Sequence, residues 1–318
     1  LFSDGGPMLQ LEKLTITHQK DLQDLVRELD LVLNPGEKLA IIGEEGTGKS
    51  SLIKAIVAPE MLSFYAQLSG NITNHFHQFG YLPQALEKED LQLTVMDFLY
   101  RDLDYVLFDF NLYYKYADQF GLDLDRFDAH NQTLASLSGG ERLKVQLLKI
   151  LATDPDLLIL DEPSSDLDLE TLQWLEHFIK QSDKAILFIS HDESLLARAA
   201  TAILHLELLK KRTEPRATFY RGNYDKYRRE RTEKFEHQLQ VAKKEREEHA
   251  KKMERHHRIH QSVEHVLRHT HDSTAGRLLA KKMKNVLSQE KRLKKEAENL
   301  TEMPQDMDAI QLFFSEIK

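Results

Sequence analysis

The chain contains no cysteine, which excludes disulfide staples and thiolate metal centres. It has no run near the roughly 20 apolar residues that a membrane-spanning helix needs. The longest apolar stretches, around Leu39 to Ile42 and Leu157 to Leu160, have the length of buried strands. Leu1 to Pro7 carry neither the basic stretch nor the apolar core of a secretory leader, so residues 1–7 read as a cloning remnant ahead of Met8, and the default address is cytoplasmic. Glycine and proline are missing from one long region: after Gly222 the next glycine is Gly276 and the next proline Pro304. Such a stretch, rich in Lys, Arg, Glu, Gln and His, is helical in composition.

With 318 residues, the chain is long enough for one large domain plus an appendage. Its formal charge of −9 hides an asymmetry: residues 226–300 hold 21 Lys/Arg and 12 Asp/Glu, leaving 22 and 40 for the rest. From residue 8 to about 225, short β-prone runs (Leu39 to Ile42, Leu157 to Leu160, Ile186 to Ser190) alternate with helical spacing, which predicts an α/β domain with a largely parallel sheet. In residues 226–302, Leu279, Met283, Val286, Leu293, Ala297 and Leu300 follow a heptad seam broken by Glu290. A patchier one runs through Leu239, Ala242, Met253, Val263 and Leu267, with Arg246, His249, His256 and His260 in its gaps. Turn-prone residues lie between the two, so the spacing predicts an antiparallel helical hairpin, with coiled-coil character and its turn at 269–276. Some forty residues at about 1.5 Å each give an arm of roughly 60 Å.

Five short motifs carry the chemistry. Gly43-Glu44-Glu45-Gly46-Thr47-Gly48-Lys49-Ser50 matches a phosphate-binding loop between a strand and a helix: the glycines and Ser51 open backbone N–H groups to phosphate, Lys49 neutralises it, and Ser50 can ligate Mg²⁺. Leu157 to Glu162 is an apolar strand ending in two carboxylates, which sets Asp161 near Mg²⁺ and Glu162 near an attacking water. Ser138-Gly139-Gly140-Glu141 precedes a helix and reads either as a capping turn or as a second phosphate cradle, and one lobe cannot place two cradles on one γ-phosphate. Tyr81-Leu82-Pro83-Gln84 and Ser190-His191-Asp192 complete the order.

In that order the motifs resemble the Walker A, Q-loop, signature, Walker B, D-loop and H-loop of the ATP-binding cassette superfamily. The resemblance implies a P-loop ATP-binding cassette followed by the helical hairpin, with Mg²⁺ and ATP held by Gly43, Gly46, Thr47, Gly48, Lys49, Ser50 and Ser51. It makes Glu162 the general base, His191 the γ-phosphate contact, and Gln84 a catalytic residue that touches either the lytic water or, with Ser50 and Asp161, the Mg²⁺. Asp168 would belong to the D-loop. Ser138, Gly139, Gly140 and Glu141 would serve ATP on a second cassette, supplied by the same longer chain or by a second copy, so the isolated piece is expected to be weakly active. Two departures stand out. Glu45 occupies a position usually held by Asn, and at 4–6 Å a carboxylate costs phosphate binding on the order of 1 kcal/mol. The ring that usually stacks on adenine is also absent; His18 is the nearest candidate and reads equally as a surface residue.

Phe219-Tyr220-Arg221-Gly222-Asn223-Tyr224, followed by charged helix, resembles the junction in ABC-F proteins, where a helical linker joins two cassettes. That resemblance implies ribosome, rRNA and tRNA as partners, and makes residues 303–318 the start of a second cassette. Gln84 to Leu137, about fifty residues, is short for the extra helical arm of some members. Around the turn, Arg268, His269, His271, Arg277, Lys281, Lys282 and Lys284 are candidate RNA contacts, or a plain solvated face. His256 and His260 have a metal-compatible spacing but no third ligand. An ATPase subunit of an ABC transporter is the alternative to the ABC-F reading.

Overall fold

A computed structural model describes residues 8–209, 214–301 and 303. The expectations for residues 1–7 and, apart from Met303, for 303–318 therefore lie outside the described residues. In chain order the elements are β1 (Leu9–His18), β2 (Asp24–Leu33), β3 (Lys38–Ile42), α1 (Lys49–Val57), α2 (Pro59–Leu62), β4 (Ala66–Asn74), β5 (Phe79–Leu82), α3 (Lys88–Leu91), α4 (Val95–Tyr100), α5 (Phe110–Phe120), α6 (Leu124–Ala129), α7 (Gly139–Leu151), β6 (Leu157–Asp161), α8 (Leu169–Gln181), β7 (Ala185–Ile189), α9 (Glu193–Ala199), β8 (Ala202–Leu209), β9 (Glu214–Arg221), α10 (Tyr224–His269) and α11 (Ser273–Glu298). They form two compact units that divide between Tyr227 and Arg228.

The first unit is built on a six-stranded sheet of order β5-β6-β7-β3-β8-β9, parallel except for β9. Every residue of β3, β6 and β7 is buried. A strand covered on both faces has no polar side, hence the unbroken apolar runs in the sequence. Leu158, Leu160, Ile186, Phe188, Ala40 and Ile42 face a helical core with α4, α5, α7, α8 and α9. Leu157, Ile159, Leu187, Ile189, Leu39 and Ile41 face the other side, where α1 and the strands β1, β2 and β4 pack. Those three strands make a separate antiparallel sheet of order β2-β1-β4, which the sequence pattern does not reveal.

The junction sequence acts as a plug within this unit. Asn223 accepts from the Lys226 backbone N–H at 2.9 Å to cap the start of α10. Tyr224 and Tyr227 are buried, and the Tyr227 hydroxyl lies 2.7 Å from His205 Nδ1 on β8.

The second unit is the helical hairpin. Its turn is tighter than the predicted 269–276: Asp272 accepts from the Thr274 N–H, and the Gly276 N–H donates to the Asp272 carbonyl, so Ser273 to Gly276 become the first turn of α11. Val286 and Leu293 are buried as the heptad reading expects, whereas Ala297 is exposed and Glu296 is half-buried in its place. Histidines fill the polar gaps. His249 Nε2 donates to the Leu293 carbonyl and His256 Nε2 to the Val286 carbonyl, each at 2.8 Å, so two seam positions one heptad apart are stitched to carbonyls one heptad apart. His256 is thereby committed to the hairpin, and no cluster of three or more metal-ligating residues occurs among the described residues. Removing its buried donor should destabilise the hairpin by about 1–3 kcal/mol. His256→Ala is expected to accelerate amide exchange along α10 and α11 while leaving the sheet amides protected; unchanged hairpin protection would contradict the stitch.

Candidate functional site

The β3-to-α1 connection forms the floor of a cavity of about 570 Å³ lined by Leu25, Glu45, Gly46, Gly48, Lys49, Ser50, Ser51, Gln84, Glu162 and His191. Eight predicted residues, Gly46, Gly48, Lys49, Ser50, Ser51, Gln84, Glu162 and His191, thus meet from four separate stretches of sequence, together with the departure at Glu45. Gly48 sits at φ 91° as the N-cap of α1, and a Cβ there would lie 3.1 Å from the Leu25 carbonyl oxygen. Only glycine takes that conformation and that approach without strain. Leu25 is the lining residue that no motif indicated. Gly43 and Thr47 lie under the loop rather than in its lining: Thr47 Oγ1 donates to the Glu44 carbonyl at 2.8 Å.

Lys49 is buried, and its ammonium donates to the carbonyls of Gly43 (2.5 Å) and Glu44 (2.8 Å). Burial holds its pKa below the ordinary lysine value, opposed by the charges of Glu162, Asp161, Glu45 and Glu44. A loop that opens N–H groups and a cation toward one space is chemically suited to a polyphosphate. Asp161 ends β6, buried, and its carboxyl is pushed above the usual range by that burial and by neighbouring Glu162. Asp161 is not among the residues that line the cavity with Ser50, and as a buried carboxylate it is an oxygen donor of the kind that a divalent cation takes.

Glu162 follows Asp161 in the left-handed region at φ 49°, with its N–H on the Ile189 carbonyl at 3.0 Å. This off-strand backbone turns the side chain to the cavity, a strain of the kind stored at working sites. Both its oxygens are engaged: Gln84 Nε2 donates to Oε2 at 3.4 Å, and His191 Nε2 lies 3.3 Å from Oε1. Tyr81 reaches Asp161 Oδ2 at 3.4 Å and stays a neutral hydroxyl, its pKa raised to about 12 mainly by burial.

The signature residues take no part in this cavity. Ser138 and Glu141 form a reciprocal capping box on α7, and Glu141 also pairs with Arg126 at 2.6 Å. A Cβ on Gly139 would come within 2.7 Å of the Asp166 carbonyl, and one on Gly140 within 2.3 Å of Thr171 Oγ1. These glycines therefore have a packing role, against the segment after Glu162 and against α8, beside any role in phosphate binding. Asp168 caps α8 by accepting from the Thr171 N–H at 2.8 Å. His18 pairs with Asp21 at 3.0 Å outside the cavity lining. In the hairpin unit, Arg268, His269, His271, Arg277, Lys281, Lys282 and Lys284 are all exposed; Arg268 pairs with Glu264, and His269 Nδ1 lies 2.7 Å from the His265 carbonyl.

Two substitutions test the electrostatics. The folded pKa of Asp161 is raised, so its ionised form destabilises the fold above that pKa, and the penalty fades as pH falls toward the ordinary value of 3.8. Asp161→Asn should raise the unliganded melting temperature at neutral pH, with the gain vanishing in acid; a lower melting temperature at neutral pH would show that the charge is compensated. Glu45→Gln should tighten nucleotide binding about fivefold at low salt by removing a negative charge beside the phosphates, and equal affinities by titration calorimetry would place Glu45 out of range.

Comparison with known proteins bears on the fold and the family. Residues 26–165 match the ABC transporter family model. The chain is 32% identical over 218 residues to a probable ATP-binding cassette sub-family F member 3 homolog of Encephalitozoon cuniculi, covering 67% of this chain and 32% of that one. It is 28% identical over 244 residues to ABC transporter F family member 5 of Arabidopsis thaliana, covering 64% and 34%. The chain thus spans about a third of the length of these relatives. A metal-chelate type ABC transporter solved in an inward-facing conformation superposes with a TM-score of 0.53 at 22% identity, over 68% of this chain and 84% of that one, which is a likeness of fold. No helix among the described residues is long and apolar enough to cross a membrane. With its cassette fold, its nucleotide-site motifs and its sub-family F relatives, the chain belongs to the ABC-F family of ATP-binding cassette proteins.

Proposed function

We propose that this chain is a cytoplasmic ABC-F ATPase that hydrolyses Mg·ATP at a site shared with a second cassette, and that its basic hairpin engages ribosomal RNA or tRNA. The observation that carries the shared site is the separation within one chain of two half-sites: the cavity with Lys49, Glu162 and His191, and the Ser138 to Glu141 turn outside its lining. In this reading residues 8–225 are the cassette, 226–302 the linker, and 303–318 lead into a second cassette. Closure of two cassettes would bring each signature turn to the other's nucleotide.

The residues divide the work. Backbone N–H groups of Gly46 to Ser51 and the Lys49 ammonium hold the triphosphate, while Ser50, Asp161 and Gln84 hold Mg²⁺, which supplies charge neutralisation at the phosphates. Glu162 accepts a proton from the attacking water, and His191 contacts the γ-phosphate. In the described conformation both Glu162 oxygens are occupied by Gln84 and His191. Release of those contacts frees the base, and an isolated cassette, lacking a partner's signature, turns over slowly.

The hairpin's net positive charge and its exposed cluster around Thr270 to Asp272 support the RNA part of the reading. Phosphate contacts by Lys and Arg make binding fall steeply with salt, with a slope set by the number of contacts. Lys281→Glu combined with Lys282→Glu should weaken binding to ribosomes by about tenfold or more at moderate salt and flatten the salt dependence, with ATP affinity unchanged. Glu162→Gln, by blocking hydrolysis, should increase ATP-dependent cosedimentation with ribosomes. Cosedimentation that is indifferent to ATP, to salt and to the tip charges would sink the proposal.

A further inference from the structure

The register of the central sheet places one unassigned side chain on the metal-binding carboxylate. In the parallel pairing of β5 with β6, Tyr81 stands opposite Ile159. Asp161 lies two residues beyond Ile159 and therefore on the same face of the sheet. A phenol is long enough to span that diagonal, and the Tyr81 hydroxyl donates to Asp161 Oδ2 at 3.4 Å. Among the described residues no other side chain hydrogen-bonds this carboxylate.

The ring is only partly covered, and its packing does not call for a hydroxyl. β5 is the edge strand of its sheet, and Tyr81 is 37% exposed, beside an equally open Phe79 on the same face. Its strand neighbours Gly80 and Leu82 carry the buried contacts. A phenylalanine would serve the packing equally well, so the hydroxyl is the part of Tyr81 that needs a reason.

We propose that Tyr81 is a positioning residue for Mg²⁺, its hydroxyl orienting the Asp161 carboxylate so that the other oxygen is presented to the cation. The inference rests on the Mg·ATP reading of the cavity. A carboxylate that ends a buried strand has few contacts to fix its rotation, and a hydrogen bond to one oxygen both selects the rotamer and stabilises the charge before the cation arrives. Because Gln84 follows Tyr81 just past the end of β5, the same edge strand delivers a candidate metal ligand and the group that orients another.

The test separates metal from nucleotide. Binding of a fluorescent trinitrophenyl-ATP to the full chain is measured in EDTA and across a Mg²⁺ titration, for the wild type and for Tyr81→Phe. The expected result is unchanged binding in EDTA, a slightly lowered unliganded melting temperature, and about a tenfold rise in the Mg²⁺ concentration that gives half-maximal enhancement. In an Asp161→Asn background, Tyr81→Phe should add nothing, since the group it orients is gone. An unaltered Mg²⁺ requirement, an equal loss in EDTA, or an effect that persists in the Asp161→Asn background overturns the proposal. A wild type that binds no nucleotide under either condition overturns the cavity reading and this inference together, whereas a wild type that binds normally leaves the variant comparison as the sole judge of Tyr81.

Discussion

Two carboxylates at the end of a strand buried on both faces are the constraint around which the cassette is organised. Asp161 and Glu162 follow four apolar residues that are themselves sealed from water, and charge in such a place is stable only with partners. The buried Lys49 ammonium answers them from below, and Gln84, His191 and Tyr81 supply the local contacts. These groups come from separate connections at the same end of the sheet, so parallel β3, β5, β6 and β7 must align for any of them to be in place. The residual cost, visible in the raised pKa of Asp161 and the lowered pKa of Lys49, is what a divalent cation and a polyphosphate are suited to relieve.

The hairpin solves a different problem. A long helix with little apolar surface gains little from a hydrophobic seam, and its partner α11 offers only Val286 and Leu293 as buried side chains. Hydrogen bonds from His249 and His256 to opposing carbonyls fix the register where packing alone would allow slippage. At the base, the Thr301 N–H donates to Glu245 and Arg246 donates to the Thr301 carbonyl. A polar seam leaves the outer faces free to be charged, and the exposed basic residues near the turn follow from that.

Much of this was legible in the sequence where burial is two-sided or where a motif is local. β6 appears as an unbroken apolar run because neither face is wet, and the phosphate loop is readable because eight adjacent residues do one task. The β1–β2–β4 sheet was not legible, and the reason is specific. Leu9 and Leu11 point inward, then Lys13 adopts φ 47° at a register shift, and Leu14 and Ile16 continue in the opposite phase; Glu28 does the same on β2. A bulge resets a period of two, so no window of simple alternation spans the strand. The roles of Leu25 and Tyr81 were hidden for another reason, since their partners at Gly48 and Asp161 are identified by a close approach and by strand register, neither of which is written locally.

The signature turn shows how one short sequence can satisfy two requirements that compete in interpretation. As a capping box it needs Ser138 and Glu141, and as a close contact it needs glycine at 139 and 140, where Asp166 and Thr171 leave no space for Cβ atoms. Every residue of the motif is thereby accounted for without a ligand. What structure alone does not require is its exposure: Ser138 and Gly139 lie at the start of a thirteen-residue helix whose N–H groups and dipole favour an anion. The segment after Glu162 is the very one that touches Gly139, through Asp166 in a left-handed conformation. Glu162 and the Ser138 to Glu141 turn are therefore linked through the short stretch of backbone from Glu162 to Asp166, so a shift of that backbone bears on both.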